Sequence, residues 1–235
     1  MRASLLLLLL FVALQSTAQK IYLPKNLSVN DSSLFKAMPV MAQEVIRYYK
    51  ADNKKDYFDN LFRYQLAAHQ YQNAILFLDS SYYYYEGKMP TTNNTVNFQF
   101  RSYAIAQQAE LSNNKPFIQI YTDTLAAIFS RLSDDQKNIA ARYFTIDTNT
   151  LRKNLKTILA KVTTQDSINL VQARTLVRTY NAWNVFKKIF QPGRAFFAKE
   201  DAKKYIIIDS LLLTMHDGGK ISAVIVRNRS IMGPQ

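Results

Sequence analysis

Two histidines are the side chains of this chain best suited to proton transfer near neutral pH. His216 lies in the stretch Met215-His216-Asp217-Gly218-Gly219, whereas His69 lies within a helical pattern. In a Ser-His-Asp triad the acid and the serine must reach opposite ring nitrogens of the histidine. Adjacent residues of a turn point in different directions, so His216 and Asp217 do not meet this requirement. We interpret His69 as a structural or half-exposed histidine inside a helix.

Motifs for metal binding and for nucleophilic catalysis are absent from the sequence. There is no cysteine, no His-Glu-x-x-His helix motif and no calcium-loop motif. Asp52, Asp56 and Asp59 recur at helical spacing, but the neighbouring Lys54 and Lys55 favour a solvated helix face. The five glycines form neither a Gly-x-Ser-x-Gly elbow nor a phosphate-binding loop. We therefore predict no catalytic residue, no cofactor and no metal site in these 235 residues.

Four consecutive tyrosines, residues 82–85, could stack against sugar rings. Consecutive side chains point all around a helix or to both faces of a strand. At least two of the four rings should therefore be partly buried. We favour packing at a helix end over sugar binding.

The element that positions His216 and Asp217 is a predicted β-hairpin. Residues 205–215 and 221–227 are apolar runs typical of strands. Asp-Gly between two such runs is typical of a type I′ turn, in which both central residues have φ > 0. A two-stranded hairpin alone is marginally stable in water. We therefore expect residues 205–235 to begin a larger domain that these residues do not complete.

Apolar residues recur at helical spacing from about residue 31 to residue 199. One stretch resembles a tetratricopeptide-like helix pair, although no second copy follows at a fixed period. Its matching residues are Phe58, Leu61, Phe62, Gln65, Tyr71, Ala74 and Leu78. Further helices are predicted over residues 98–111, 116–132 and 133–144, and from Asp147 or Thr148 to residue 161. Ser133 and Gln136 have the spacing of a capping box.

The longest helix is predicted to start at Asp166 or Ser167 and to break or bend at Pro192-Gly193. Residues 194–204 would then form a short basic connector. Helices followed by strands are typical of separate domains. We predict a mainly α chain, with a helical domain over residues 19–204 and the hairpin over residues 205–235.

Residues 1–18 have the pattern of a cleavable signal peptide. Arg2 precedes an apolar run over residues 5–14, and Ser16-Thr17-Ala18 offers small residues before the expected cleavage site. The run is too short to span a hydrocarbon core of ~30 Å comfortably; a membrane anchor is the alternative. We predict export to the periplasm or the exterior after cleavage near Ala18, without stable membrane insertion.

The formal net charge of +13 is unevenly distributed. Residues 150–235 hold 15 basic and 5 acidic residues, whereas residues 1–149 hold 15 and 12. A basic half can indicate an anionic partner. An exported protein rarely meets nucleic acid, so we predict a solvated surface and no nucleic-acid partner. A surface that binds anionic envelope polymer or lipid is the alternative.

The stretch from residue 211 to residue 227 resembles the opening of the catalytic domain in CocE/NonD-type hydrolases and Xaa-Pro dipeptidyl peptidases. That family begins this domain with a strand, a Met-x-Asp-Gly turn, a second strand and an arginine. Met215, Asp217 and Gly218 match the turn, and Arg227 matches the arginine. Gly219 departs from the pattern, in which a bulky residue often follows Asp-Gly.

The resemblance implies an exported serine hydrolase of α/β-hydrolase fold, acting on esters, amides or N-terminal X-Pro peptides. Its nucleophile, acid and histidine would lie beyond Gln235, in a C-terminal hydrolase domain that is the expected partner of this chain. Met215, Asp217 and Gly218 correspond only to structural turn residues, so the chain alone is expected to be inactive. A complete secreted helical interaction module, with the hairpin as its C-terminal cap, is the alternative.

Overall fold

The computed structural model describes residues 20–25, 27–30, 32–85, 97–113 and 115–231, so the predicted signal peptide lies outside the described residues. Within these ranges the chain is mainly helical, with eight α-helices and two small antiparallel sheets, which confirms the predicted mainly α class. The helices are α1 (Ser32–Tyr48), α2 (Lys54–Ala67), α3 (Tyr71–Tyr85), α4 (Phe98–Asn113), α5 (Phe117–Phe129), α6 (Asp134–Arg142), α7 (Thr148–Val162) and α8 (Leu170–Lys204). The strands are β1 (Lys20–Tyr22), β2 (Ser167–Asn169), β3 (Tyr205–Thr214) and β4 (Lys220–Asn228).

Helix α8 joins two hydrophobic clusters. Its first half, including Ala173 and Tyr180, packs with residues of β1, α1 and α7. Its second half, including Phe186 and Phe197, packs with residues of α3, α4 and α5. One long helix therefore connects the two parts of the core, and its C-terminal end places the hairpin.

The start of α8 differs from the prediction. Asn169 is the N-cap, and its side chain and that of Gln172 form a capping box with each other's backbone N–H. The preceding residues form β2, in which Ile168 lies opposite Ile21 of β1. The predicted start at Asp166 or Ser167 is therefore wrong, because pairing with a distant strand extends these residues.

A break at Pro192-Gly193, one of the two predicted outcomes, is also wrong, as is the basic connector that was expected to follow it. Helix α8 continues through both residues to Lys204. Phe196 and Phe197, one turn further along, are buried in the core. A proline inside a helix costs about 3 kcal/mol, and burying a phenylalanine side chain contributes about 1.5–3 kcal/mol. The two buried rings are thus sufficient to offset the proline.

Several predicted helix ends are confirmed. Ser133 and Gln136 form the capping box of α6. Asp147, one of the two predicted residues, caps α7 by accepting hydrogen bonds from the N–H groups of Asn149 and Thr150. The predicted tetratricopeptide-like pair corresponds to α2 and α3, which pack against each other as a helical hairpin.

The strands of the predicted hairpin are confirmed, but its turn is not of type I′. The N–H of Met215 donates to the carbonyl of Gly219 over 2.7 Å, and the N–H of Gly218 donates to the carbonyl of Met215 over 3.0 Å. Gly218 has φ +84°, whereas Asp217 does not have a positive φ. This is a three-residue loop with glycine in the left-handed position. Asp217 accepts a hydrogen bond from the N–H of Gly219, which stabilises this loop.

Candidate functional site

The hairpin of β3 and β4, residues 205–228, presents apolar side chains on both of its faces. Directly opposed residues share a face, and successive residues alternate between faces. A bulge between Ile208 and Leu211 adds one residue to β3, so Leu211 continues the face of Ile208. The first face holds Ile206, Ile208, Leu211, Leu213, Ile221, Ala223, Ile225 and Arg227. The second face holds four aliphatic residues, Ile207, Leu212, Val224 and Val226, together with Tyr205, Thr214, Lys220, Ser222 and Asn228.

Neither face of the hairpin is covered. On the first face Ile221 is 51% exposed and Ile208 is 47% exposed. On the second face Leu212 is 65% exposed and Val226 is 59% exposed. A sheet with one solvated face alternates apolar and polar residues, whereas strands covered on both faces are apolar throughout. In this hairpin the first face is apolar apart from Arg227, and the second carries four aliphatic residues among polar ones. Its composition is therefore intermediate between the two kinds, while aliphatic side chains are exposed on both faces.

The base of the hairpin is attached to the end of α8. The N–H of Arg229 donates to the carbonyl of Lys204 over 2.8 Å, and its Nε donates to the carbonyl of Ala202 over 2.9 Å. The Nζ of Lys204 lies 2.8 Å from an oxygen of Asp134, which is in the first turn of α6. These contacts fix the direction in which the strands leave the helical domain while the rest of both faces remains open.

The three predicted turn residues, Met215, Asp217 and Gly218, lie together at the tip of the hairpin. Met215 closes the loop through its backbone, Asp217 through its carboxylate and Gly218 through its left-handed backbone. Within the described residues, the side chain of Asp217 hydrogen-bonds only to the N–H of Gly219, so it does not orient His216. The geometry at the tip is that of a structural turn.

His69 does not lie inside a helix, contrary to the prediction. It follows α2 with φ +60°. Its N–H donates to the carbonyl of Leu66, and the N–H of Gln70 donates to the carbonyl of Gln65. These two bonds form a Schellman motif, which normally has glycine at the position of His69. His69 therefore ends α2 and turns the chain into α3.

The four tyrosines at the end of α3 divide into a half-buried Tyr84, a buried Tyr85 and two exposed side chains. Tyr84 stacks on Phe58 with ring centroids 4.5 Å apart, and the hydroxyl of Tyr85 donates to Asp59 over 2.8 Å. Tyr82 and Tyr83 are exposed. The prediction that at least two rings are partly buried is confirmed, and Tyr84 and Tyr85 pack against α2.

Asp56 is the centre of a half-buried polar network, which corrects the prediction of a solvated face. Its carboxylate accepts hydrogen bonds from the hydroxyl of Tyr49 over 2.8 Å and from the Nδ2 of Asn60 over 2.7 Å. The Nη2 of Arg174 in α8 lies 3.3 Å from the same carboxylate. Helical spacing could reveal Asn60, four residues along the same helix, but not Arg174, which is remote in sequence.

The pKa of Asp56 reflects this network. Burial alone would raise the pKa of the carboxyl, but the hydrogen bonds from Tyr49 and from the N–H of Asp52 outweigh it. The charge of Arg174 acts in the same direction, so the pKa lies below its ordinary value. Burial and the bond to Asp56 raise the pKa of Tyr49. The network thus joins α1, α2 and α8 through a carboxylate that stays ionised, which is a structural role.

The described ranges contain no group of three or more histidine, cysteine or acidic side chains that could hold a metal ion. None of the helices in these ranges has the length and apolar character needed to cross a bilayer. No protein-family model, curated protein or solved structure matches the chain. The hairpin, with exposed aliphatic side chains on both of its faces, is the feature of the described residues that most needs a partner.

Proposed function

We propose that this chain is the N-terminal helical part of an exported serine hydrolase, and that β3 and β4 form the first hairpin of its α/β-hydrolase domain. The observation on which this rests is that both faces of the hairpin expose aliphatic side chains, the first face being apolar apart from Arg227 and the second carrying four aliphatic residues. In α/β folds, helices cover the sheet on both faces, so its strands carry apolar residues on both sides. A hairpin at the start of such a sheet would expose aliphatic side chains on both faces until the rest of the domain covers them.

The tip of the hairpin supports the same proposal. The motif Met215-x-Asp217-Gly218 places a carboxylate acceptor and a left-handed glycine where the loop needs them. These are structural roles, in keeping with the resemblance of the turn to the start of CocE/NonD-type and Xaa-Pro dipeptidyl-peptidase domains. The nucleophilic serine, the acid and the histidine lie beyond Gln235 in this proposal. The 235-residue chain is accordingly inactive.

The proposed substrates are acyl esters, amides or N-terminal X-Pro peptides, hydrolysed by the C-terminal domain outside the cytoplasm. The helical domain would hold the first hairpin of the sheet in place through the contacts of Arg229 with α8. The alternative, in which the hairpin caps a helical interaction module, requires one apolar face to pack on the helices. The exposure of Ile208 and Ile221 gives that alternative less support.

The test is to read the coding DNA past the codon for Gln235 and to assay the whole product. We expect a continued reading frame with a Gly-x-Ser-x-Gly elbow and a later histidine. The product should hydrolyse p-nitrophenyl acetate or an Ala-Pro p-nitroanilide, and replacing the elbow serine by alanine should reduce kcat by about 10⁴-fold or more. A stop codon with no elbow downstream, or hydrolysis that survives this replacement, would overturn the proposal.

A further inference from the structure

A cleft of ≈ 560 Å³ lies between α7 and α8 in the helical domain, away from the hairpin residues. Its lining includes apolar side chains of α7 and polar side chains of both helices, and α2 contributes one arginine. The residues that matter for its chemistry are Arg63, Leu151, Asn154, Thr175, Arg178 and Thr179. The cleft is open to solvent and can admit a small ligand.

Arg63 is held in a fixed position by its surroundings. Its guanidinium carbon lies 4.8 Å from the ring centroids of both Phe62 and Phe100. Its Nε donates to the carbonyl of Asp59 over 2.9 Å. Within the described residues its two Nη groups make no hydrogen bond. A guanidinium whose orientation is fixed and whose outer N–H groups remain available is suited to bind an oxyanion.

The positive charge in the cleft is only partly offset by the described part of the chain, since the charge of Asp59 acts on Arg63 but Asp59 itself pairs with Lys55. Neither Arg63 nor Arg178 forms a salt bridge there. Residues 148–199, which form α7 and most of α8, contain a single acidic residue, Asp166, and it pairs with Lys25. Burial and the nearby charge of Arg178 lower the pKa of Arg63 to about 10. The guanidinium therefore stays charged at neutral pH in a site that favours an added negative charge.

We propose that this cleft binds a small molecule bearing a phosphate group, which accepts hydrogen bonds from the Nη groups of Arg63 and from Arg178. A phosphate has up to two negative charges and three acceptor oxygens, which match two unpaired guanidinium groups. Asn154 adds an amide that can donate to the same oxygens. This inference is independent of the proposed hydrolase function.

Calorimetric titration of the 235-residue chain with inorganic phosphate at physiological salt tests the proposal. We expect saturable binding at one site. Arg178→Ala should weaken this binding about tenfold or more, since a hydrogen bond to a charged group is lost. Lys156→Ala is the matched control, because Lys156 is exposed on α7 and does not line the cleft. Removing its charge should weaken binding less than about twofold.

Arg63→Lys keeps the charge but removes the forked donor, and it should also weaken binding about tenfold. If this variant fails to fold, an NMR titration of the unmodified chain with phosphate provides the same test. The chemical shift of the Arg63 Nε–H should change during the titration, and the affinity from that change should equal the affinity from calorimetry. Absence of saturation by about 10 mM phosphate would overturn the proposal. Equal effects of Arg178→Ala and Lys156→Ala would also overturn it, since they would indicate general electrostatic attraction.

Discussion

The backbone of Gly193 in α8 lies against the ring of Phe144, so closely that a Cβ at position 193 would overlap the ring. Phe144 belongs to the short 3₁₀ turn Tyr143–Thr145 that follows α6. The glycine is therefore needed for the close approach of these two elements. This relationship explains why a glycine occupies position 193 inside the helix.

Gly193→Ala should destabilise the protein, although alanine has a higher helix propensity than glycine. In an unconstrained helix this change stabilises by roughly 0.5–1 kcal/mol. Here we expect a loss of about 1–3 kcal/mol in the free energy of unfolding, because the added methyl displaces the ring of Phe144. Urea denaturation measures the change. Adding Phe144→Leu should restore part of the loss, and a more stable single variant would contradict the packing argument.

Stability should depend on pH through Asp56. The pKa of Asp56 is lowered in the folded state. The ionised carboxylate therefore adds to the free energy of unfolding above the unfolded-state pKa of about 3.9, and this stabilisation is lost as the pH falls through the folded-state pKa. Asp56→Asn should cost about 1–3 kcal/mol at pH 7, since Arg174 loses its charged partner. The difference from the unmodified chain should shrink as the pH falls through the lowered folded pKa of Asp56.

Urea denaturation at several pH values measures this dependence. Asp135→Asn is the matched control, because Asp135 is an exposed acid at the start of α6. It should change the free energy of unfolding by less than about 0.5 kcal/mol at every pH. An Asp56→Asn loss that is the same at pH 7 and at low pH would show that ionisation of Asp56 is not the cause.

Gly218→Val should disrupt the hairpin turn while the helices remain folded. Gly218 has φ +84°, which a β-branched residue adopts only at substantial cost. Far-UV circular dichroism should retain its helical signal, while the amides of β3 and β4 lose their protection from hydrogen exchange. Gly219→Ala is the comparison variant: Gly219 does not have a positive φ, although a Cβ there would lie 3.0 Å from the carboxylate of Asp217, so it should perturb the hairpin less than Gly218→Val. Loss of most of the helical signal in Gly218→Val would show that the boundary at residue 204 is misplaced.

The exposed faces of the hairpin should make the isolated chain self-associate. Replacing Leu212 and Val226 by lysine should reduce this association and the binding of a hydrophobic dye, because it removes two of the four exposed aliphatic side chains of the second face. Val171→Lys combined with Leu111→Lys is the matched control, since these exposed residues lie on helices. Light scattering and dye fluorescence measure the change. Equal effects of the two pairs would indicate that general charge, and not the hairpin, determines solubility.

Local sequence patterns were sufficient to predict the features that depend on residues close together in the chain. The capping residues Ser133 and Asp147 satisfy N–H groups within three residues, and the two apolar runs of the hairpin lie close together in the chain. Both kinds of feature could therefore be predicted. The type of the hairpin turn could not, because the carboxylate of Asp217 stabilises a longer loop than Asp-Gly alone suggests.

The wrong predictions have long-range causes. The start of α8 depends on the pairing of Ile168 with Ile21, and the environment of Asp56 depends on Arg174. The cleft around Arg63 was not predicted either, because its lining comes from three helices that are separated in sequence. Its only sequence indication is the lack of acidic residues in α7 and most of α8.

Hydrogen exchange of the hairpin amides, in the 235-residue chain and in the whole gene product, tests the central claim most directly. With both faces uncovered, the amides of β3 and β4 in the 235-residue chain should exchange roughly a hundredfold faster than those in the middle of α8. In the whole gene product, a hydrolase sheet would cover the hairpin. The amides of β3 and β4 should then exchange at rates similar to those in the middle of α8. Hairpin amides that are already as protected as those of α8 in the 235-residue chain would contradict the account.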